Sequence, residues 1–145
     1  MNAVEKAQVW IISDNEALSR GIRQLLAGLS VATSILDPAA VDKDDFWERK
    51  PGQLKLVILD VNGRLDWGWE FIRRIRLARI QAPMVVLTEM FSRDFGAKII
   101  SQGVRYYFSH DYCKEEFLEV AQNLINPRSP RRQDPLPDEQ CKKKG

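Results

Sequence analysis

Residues 56–63 read Leu56-Val57-Ile58-Leu59-Asp60-Val61-Asn62-Gly63. Four apolar residues run straight into a carboxylate, and an amide and a glycine come shortly after it. A continuous apolar run of this kind, bounded by turn residues, reads as a strand covered on both faces, as in a parallel sheet flanked by helices. Such sheets bind ligands in the crevice beyond the C-terminal ends of their strands, which is where Asp60 would stand. A lone strand-end aspartate is most simply a cap on the next turn. The reading changes if other strands bring polar residues to the same edge.

Outward from this stretch the chain alternates. Gln8–Ser13 is a first strand ending at Asp14, and Asn15-Glu16 opens a helix with Leu18, Ile22, Leu25, Leu26 and Leu29 at helical spacing. Val31–Leu36 is a second strand with Asp37-Pro38 at its exit, and residues 39–49 carry a short helix around Val41 and Phe46-Trp47. Past the loop Lys50-Pro51-Gly52-Gln53 comes the central strand. Asp66 is the expected N-cap of a helix carrying Trp69, Phe71, Ile72, Ile75 and Leu77, with Arg73, Arg74, Arg76 and Arg79 read as its solvated face. Met84–Leu87 is a fourth strand ending at Thr88. Ser92 caps a helix with Phe95, Ile99 and Ile100 that stops at Gly103. Val104–Ser109 is a fifth strand ending at His110, and a last helix carries Phe117, Val120, Leu124 and Ile125 before Asn126-Pro127. Five strands alternating with five helices predict a doubly wound α/β domain on a parallel sheet.

The domain is expected to span residues 1–126. Residues 127–145 hold four prolines and no periodic apolar pattern, which predicts a flexible tail or linker. From Arg128 onward six basic residues face three acidic ones, so that stretch carries +3 of the chain's +2 and leaves the rest at −1. The folded part thus lacks the basic excess of a nucleic-acid binder. No apolar run approaches the ~20 residues of a membrane span. With two cysteines outside any CxxC pair and one histidine, the composition points to a reducing, cytoplasmic setting.

In this topology Asp14, Asp60, Thr88 and His110 share one edge. The loop Ser13-Asp14-Asn15-Glu16 has two carboxylates and no glycine, which disfavours a dinucleotide and suits a hard cation such as Mg²⁺. A carboxylate beside a hydroxyl and such a cation is a candidate phosphoryl acceptor. His110 has no serine or cysteine nucleophile in a recognisable motif beside it, so acyl-transfer chemistry is not indicated.

These residues carry a resemblance. Over residues 7–126 the chain is similar to the receiver domain of two-component response regulators, which implies a flavodoxin-like (βα)5 fold. The resemblance rests on the acidic loop at Asp14, on Asp60 at the phosphoacceptor position and Asn62 two residues on, and on Gly68 at the turn glycine. It also rests on Thr88 at the Ser/Thr position, on Tyr107 at the aromatic switch position and on the ungapped segment Gly103–Asp111. It implies that Asp60 accepts the phosphoryl group and that Asp14, Asp60 and the Asn62 backbone carbonyl hold Mg²⁺. It further implies that Thr88 closes over the phosphoryl group while Tyr107 turns inward. Implied partners are proteins: a histidine kinase, an output domain, or a second copy through the fourth helix, fifth strand and fifth helix, with Phe91, Phe95, Tyr106 and Phe108 as contacts. Neither a membrane nor direct nucleic-acid binding is implied, and the domain is expected not to be an enzyme.

Three residues depart from the family pattern. Ser13 stands where a second acid is usual, Arg64 where a proline is usual four residues past the acceptor, and His110 where a lysine is usual. Losing one carboxylate and one ammonium together leaves the formal charge around Mg²⁺ unchanged. The shorter imidazole nevertheless forgoes a charge-assisted contact of roughly 1.5–3 kcal/mol. The sequence therefore supports two readings: an atypical, phosphate-independent or weakly phosphorylated receiver that acts through protein contacts, and a receiver phosphorylated on Asp60 by a histidine kinase with Mg²⁺. Trp67 and Trp69 are expected to flank the site.

Overall fold

The computed structural model describes residues 7–41, 53–62, 64–89 and 92–126. Residues 42–49 of the helix expected over 39–49, the contact residue Phe91 and the tail 127–145 lie outside them. Five strands, β1 (Ala7–Ile12), β2 (Val31–Leu36), β3 (Leu54–Asp60), β4 (Met84–Thr88) and β5 (Val104–Ser109), form one parallel sheet in the order β2-β1-β3-β4-β5. They alternate with α1 (Glu16–Leu26), α2 (Pro38–Val41), α3 (Leu65–Leu77), α4 (Arg93–Ile100) and α5 (Lys114–Ile125). This is the flavodoxin-like arrangement, and it places β3 at the centre, where Leu56–Asp60 are all buried.

Strand alternation divides the core into two layers. Trp10, Ile12, Val57, Leu59, Met84 and Val86 pack with Phe71, Ile72 and Ile75 of α3 and Phe95 and Ile99 of α4. On the other face Val9, Ile11, Leu56, Ile58, Val85 and Leu87 pack with Ile22 and Leu26 of α1 and Phe117, Val120 and Ala121 of α5.

Several local expectations are corrected. Pro38 opens α2 rather than only ending the β2 exit: it sits at the first helical position, and Asp37 Oδ1 accepts from Ala39 N at 3.0 Å. Asp66 is not the N-cap of α3. Arg64 N donates to Val61 O at 2.7 Å and Gly68 N to Arg64 O at 3.0 Å, so the helix begins at Leu65. Asp66 instead lies in the first turn, where a carboxylate complements the helix dipole. Leu77 is 74% exposed at the end of α3, and Ile100 is also exposed, because Ile75 and Ile99 take the core-facing positions.

Nor are the α3 arginines one solvated face. Arg76 is half-buried, and its guanidinium donates to the carbonyls of Gln102 (3.0 Å), Ile80 (3.0 Å) and Ala82 (3.3 Å). Burial lowers its pKa from the ordinary arginine value. The side chain ties the end of α3 to the α4–β5 turn, where Gly103 adopts φ +89°.

Candidate functional site

The register of the sheet assembles the polar edge. Ile12 pairs with Leu59 and Asp60 with Leu87, so the residue after β1 lies beside the last residue of β3. Ser13 Oγ donates to Asp60 Oδ2 at 2.7 Å, a bond buried on both sides. The same Oγ accepts from Asn15 N at 3.0 Å, and Asn15 Oδ1 caps α1 by accepting from Leu18 N at 3.0 Å. One hydroxyl thus links the start of α1 to the central strand.

Asp60 is only 2% exposed. Its other oxygen, Oδ1, accepts from Asn62 N at 3.0 Å and lies 2.8 Å from His110 Nε2. Asn62 turns through φ 46°, a left-handed conformation that asparagine tolerates, and this aims its N–H back at the carboxylate. An ionised carboxylate only accepts, so Nε2 carries the proton of this bond. His110 is positioned by its own backbone, whose N–H donates to Thr88 O at 2.9 Å. A buried carboxylate needs such partners, and here it has three.

Ser13, Asp60 and His110 form a serine–aspartate–histidine cluster in the wrong order for nucleophilic catalysis. The serine bonds the carboxylate rather than the imidazole, so the ring does not receive the Oγ proton.

The remaining candidates surround this cluster. Asp14 follows Ser13 at the same edge, but its carboxylate is paired with Arg64 Nη2 at 3.4 Å, with the two side chains 46% and 47% exposed. Thr88 is fully buried at the end of β4, and its place in the alternation puts it on the face of Met84 and Val86. Tyr107 packs on that same face. Its hydroxyl accepts from Ser92 N at 3.2 Å, and its ring stands edge-on to Phe95 with centroids 5.7 Å apart. A Cβ on Gly96 would lie 3.0 Å from that ring, so the α4 glycine makes room for the tyrosine.

Among the expected contact residues, Phe95 is a core residue, Phe108 is half-buried against Phe117, and Tyr106 is exposed and stacked on Phe108. Trp67 stacks on Phe71 and faces Arg64, whereas Trp69 lies under Lys98 Nζ at 5.0 Å.

Mg²⁺ demands near-octahedral oxygen coordination. Ser13 presents a proton to Asp60, Asp14 is paired with a guanidinium, and three of the roughly four acceptor positions on Asp60 are taken. Among the described residues no three histidine, cysteine, aspartate or glutamate side chains gather where they would hold a metal ion. In this arrangement the residues do not fit a divalent cation, and no chemistry is derived through one.

Sequence reading treated Ser13 only as a missing acid and did not foresee its bond to Asp60. The signal is in the sequence: Ser13 and Asp60 each come directly after a run of four apolar residues, and neighbouring parallel strands bring such positions side by side.

No family model matches the chain. Over 113 residues, 77% of its length, it is 26% identical to the cell cycle transcriptional regulator CtrA of Caulobacter vibrioides. It is 23% identical over the same share to the cell cycle response regulator CtrA of Brucella ovis. It spans about half the length of these curated relatives, 47% in each case. Among solved structures it resembles a response regulator receiver protein from Pseudoalteromonas atlantica, with TM-score 0.72 and 11% identity over 83% of this chain and 98% of that one. A CheY-like receiver domain protein from Methanospirillum hungatei gives TM-score 0.70 and 15% identity over 85% and 96%. The fold is therefore that of the CheY-like, flavodoxin-like α/β domains. Within that class the chain is similar to response-regulator receiver domains.

Proposed function

We propose that this receiver domain works in two-component signalling as an atypical member that transmits through protein contacts, without stable phosphorylation of Asp60. The observation that carries this reading is the engagement of both Asp60 oxygens, by Ser13 at 2.7 Å and His110 at 2.8 Å, in a carboxylate only 2% exposed. In-line attack on phosphorus requires an oxygen lone pair aimed outward and positive charge beside it. Freeing one oxygen breaks a hydrogen bond to a charged group worth about 1.5–3 kcal/mol, a rate cost of roughly 10- to 150-fold before any chemistry. The guanidinium at this edge, that of Arg64, is directed at Asp14 instead.

On this reading the domain is a cytoplasmic binding module and not an enzyme. Its partners are proteins, a histidine kinase or an output domain among them, and the exposed Tyr106 beside Phe108 is a contact on the α4–β5–α5 face. No helix among the described residues is long and apolar enough to cross a membrane.

The test is labelling of the wild-type chain by acetyl phosphate with Mg²⁺, beside the Ser13→Asp/His110→Lys double variant. We expect no acyl phosphate on the wild type and Mg²⁺-dependent labelling of the double variant that Asp60→Asn abolishes. Wild-type labelling at Asp60 would overturn the proposal in favour of a functional phosphoacceptor.

A further inference from the structure

We propose that Arg64 is the resident cation of the acidic edge: its guanidinium holds Asp14 and keeps a divalent metal ion from that carboxylate. The proposal rests on reading the strand-end edge as the receiver's functional edge, and it names what governs access to it.

Three contacts fix the side chain. The Arg64 backbone N–H donates to Val61 O at 2.7 Å, closing the turn that leaves β3. From there the side chain crosses to the β1–α1 loop, where Nη2 meets Asp14 Oδ2 at 3.4 Å. On the way its Cζ lies 5.3 Å from the centroid of the Trp67 ring, and Trp67 is itself stacked on the buried Phe71 at 5.5 Å. An aromatic shelf joined to the core therefore positions a planar cation between the two loops that carry Asp14 and Asp60.

The chemistry of the group makes it an effective excluder. A guanidinium does not lose its charge at accessible pH, and its flat face suits an aromatic shelf as an ammonium does not. A metal ion approaching Asp14 must displace this partner and then remain beside a positive charge. The ion pair is too exposed to add much to stability. Removing the charge should accordingly change ion affinity while leaving the fold intact, which separates this role from a structural one.

The test uses the full chain, ¹⁵N-labelled, titrated with Mn²⁺ alone while paramagnetic broadening of the Asp14 and Asn62 amide resonances is followed. Arg64→Gln keeps a planar group over Trp67 without the charge, and Arg64→Lys keeps the charge. We expect half-broadening in Arg64→Gln at about three- to fivefold lower Mn²⁺ than in the wild type, the range an exposed ion pair supports. Arg64→Lys should titrate within twofold of the wild type. If Arg64→Gln matched the wild type, or Arg64→Lys matched Arg64→Gln, the proposal would be overturned. Should Arg64→Gln lose spectral dispersion, Arg64→Ala replaces it under the same criteria. Wild-type phosphorylation of Asp60 would defeat the functional reading above and leave this comparison intact, so the two failures are distinguishable.

Discussion

Ser13→Ala removes a hydroxyl that faces the buried Asp60 carboxylate, and its cost follows from two bonds. Oγ donates to Asp60 Oδ2 at 2.7 Å and accepts from Asn15 N at 3.0 Å. The first is a bond to a charged group in a site closed to solvent, worth about 1.5–3 kcal/mol, and its loss leaves the oxygen without that donor. The second sits at the α1 cap in a half-buried position and adds roughly 0.5–1 kcal/mol. The sum is about 2–4 kcal/mol, or a fall in Tm of about 8–16 °C for a domain of this size. Urea unfolding followed by tryptophan fluorescence would measure it, with Ser101→Ala as control. Ser101 also makes a hydrogen bond, to Lys98 O at 2.6 Å, but on an exposed helix end, and its replacement should stay within about 0.5 kcal/mol. A Ser13→Ala loss below 0.5 kcal/mol would refute the argument, because the hydroxyl would then not be supporting a buried charge.

Other substitutions probe the frame around the site. Gly68→Ala places a Cβ into the Val61 side chain inside the packed α3–sheet layer and should destabilise by about 1–3 kcal/mol despite alanine's better helix propensity. Gly21→Ala, in α1 with nothing within 4 Å of the new Cβ, should stabilise by about 0.5–1 kcal/mol, and thermal melts of the pair should move in opposite directions. Arg76→Ala leaves the Gln102, Ile80 and Ala82 carbonyls without their donor and should cost about 2–4 kcal/mol in chemical denaturation, with Arg76→Lys recovering less than half. Tyr107→Phe deletes the acceptor of the Ser92 N–H and should cost about 0.5–1.5 kcal/mol, with faster amide exchange at Ser92 as its local signature.

Much of the fold could be read from the chain's apolar and β-branched runs. β2, β3 and β5 lie where those runs put them, and in the central β3 Leu56–Asp60 are all buried, which leaves no other periodicity to compete. Legibility falls where a side chain's partner is distant in sequence. Arg76 looks like its exposed neighbours Arg73 and Arg79, and only the folded chain brings the Gln102 carbonyl of the α4–β5 turn, 26 residues on, to its guanidinium beside those of Ile80 and Ala82. The α3 start was misplaced because Asp66 has the chemistry of a cap, whereas the backbone bond from Arg64 to Val61 had already set the turn. At the site, sequence supplied the membership of the edge but not its wiring. That Ser13 and His110 would each take one oxygen of Asp60 depends on strand register and on the loop geometry at Asn62, neither of which is local.

That wiring constrains how the edge can communicate with the rest of the domain. Alternation assigns Asp60 to the layer of Leu56 and Ile58, against α1 and α5, while Tyr107 packs in the opposite layer against α4. A main-chain bond links the two layers at the edge: the His110 N–H bonded to Thr88 O at 2.9 Å ties the residue that holds Asp60 to the end of β4. Thr88 lies in the same layer as Tyr107, and Val86, two residues before it, pairs with Tyr107 across the sheet. A shift of His110 therefore reaches α4 through strand ends, by sliding β5 against β4, more readily than through a chain of side chains. Because the sheet is closely packed on both faces, such a slide has few intermediate positions. A partner that grips Tyr106 and Phe108 on β5 acts on the same strand and can bias the same movement without any change at Asp60. The α4–β5–α5 face and the Ser13–Asp60–His110 cluster are in this sense two handles on one strand, and the outer handle remains usable when the inner one is locked.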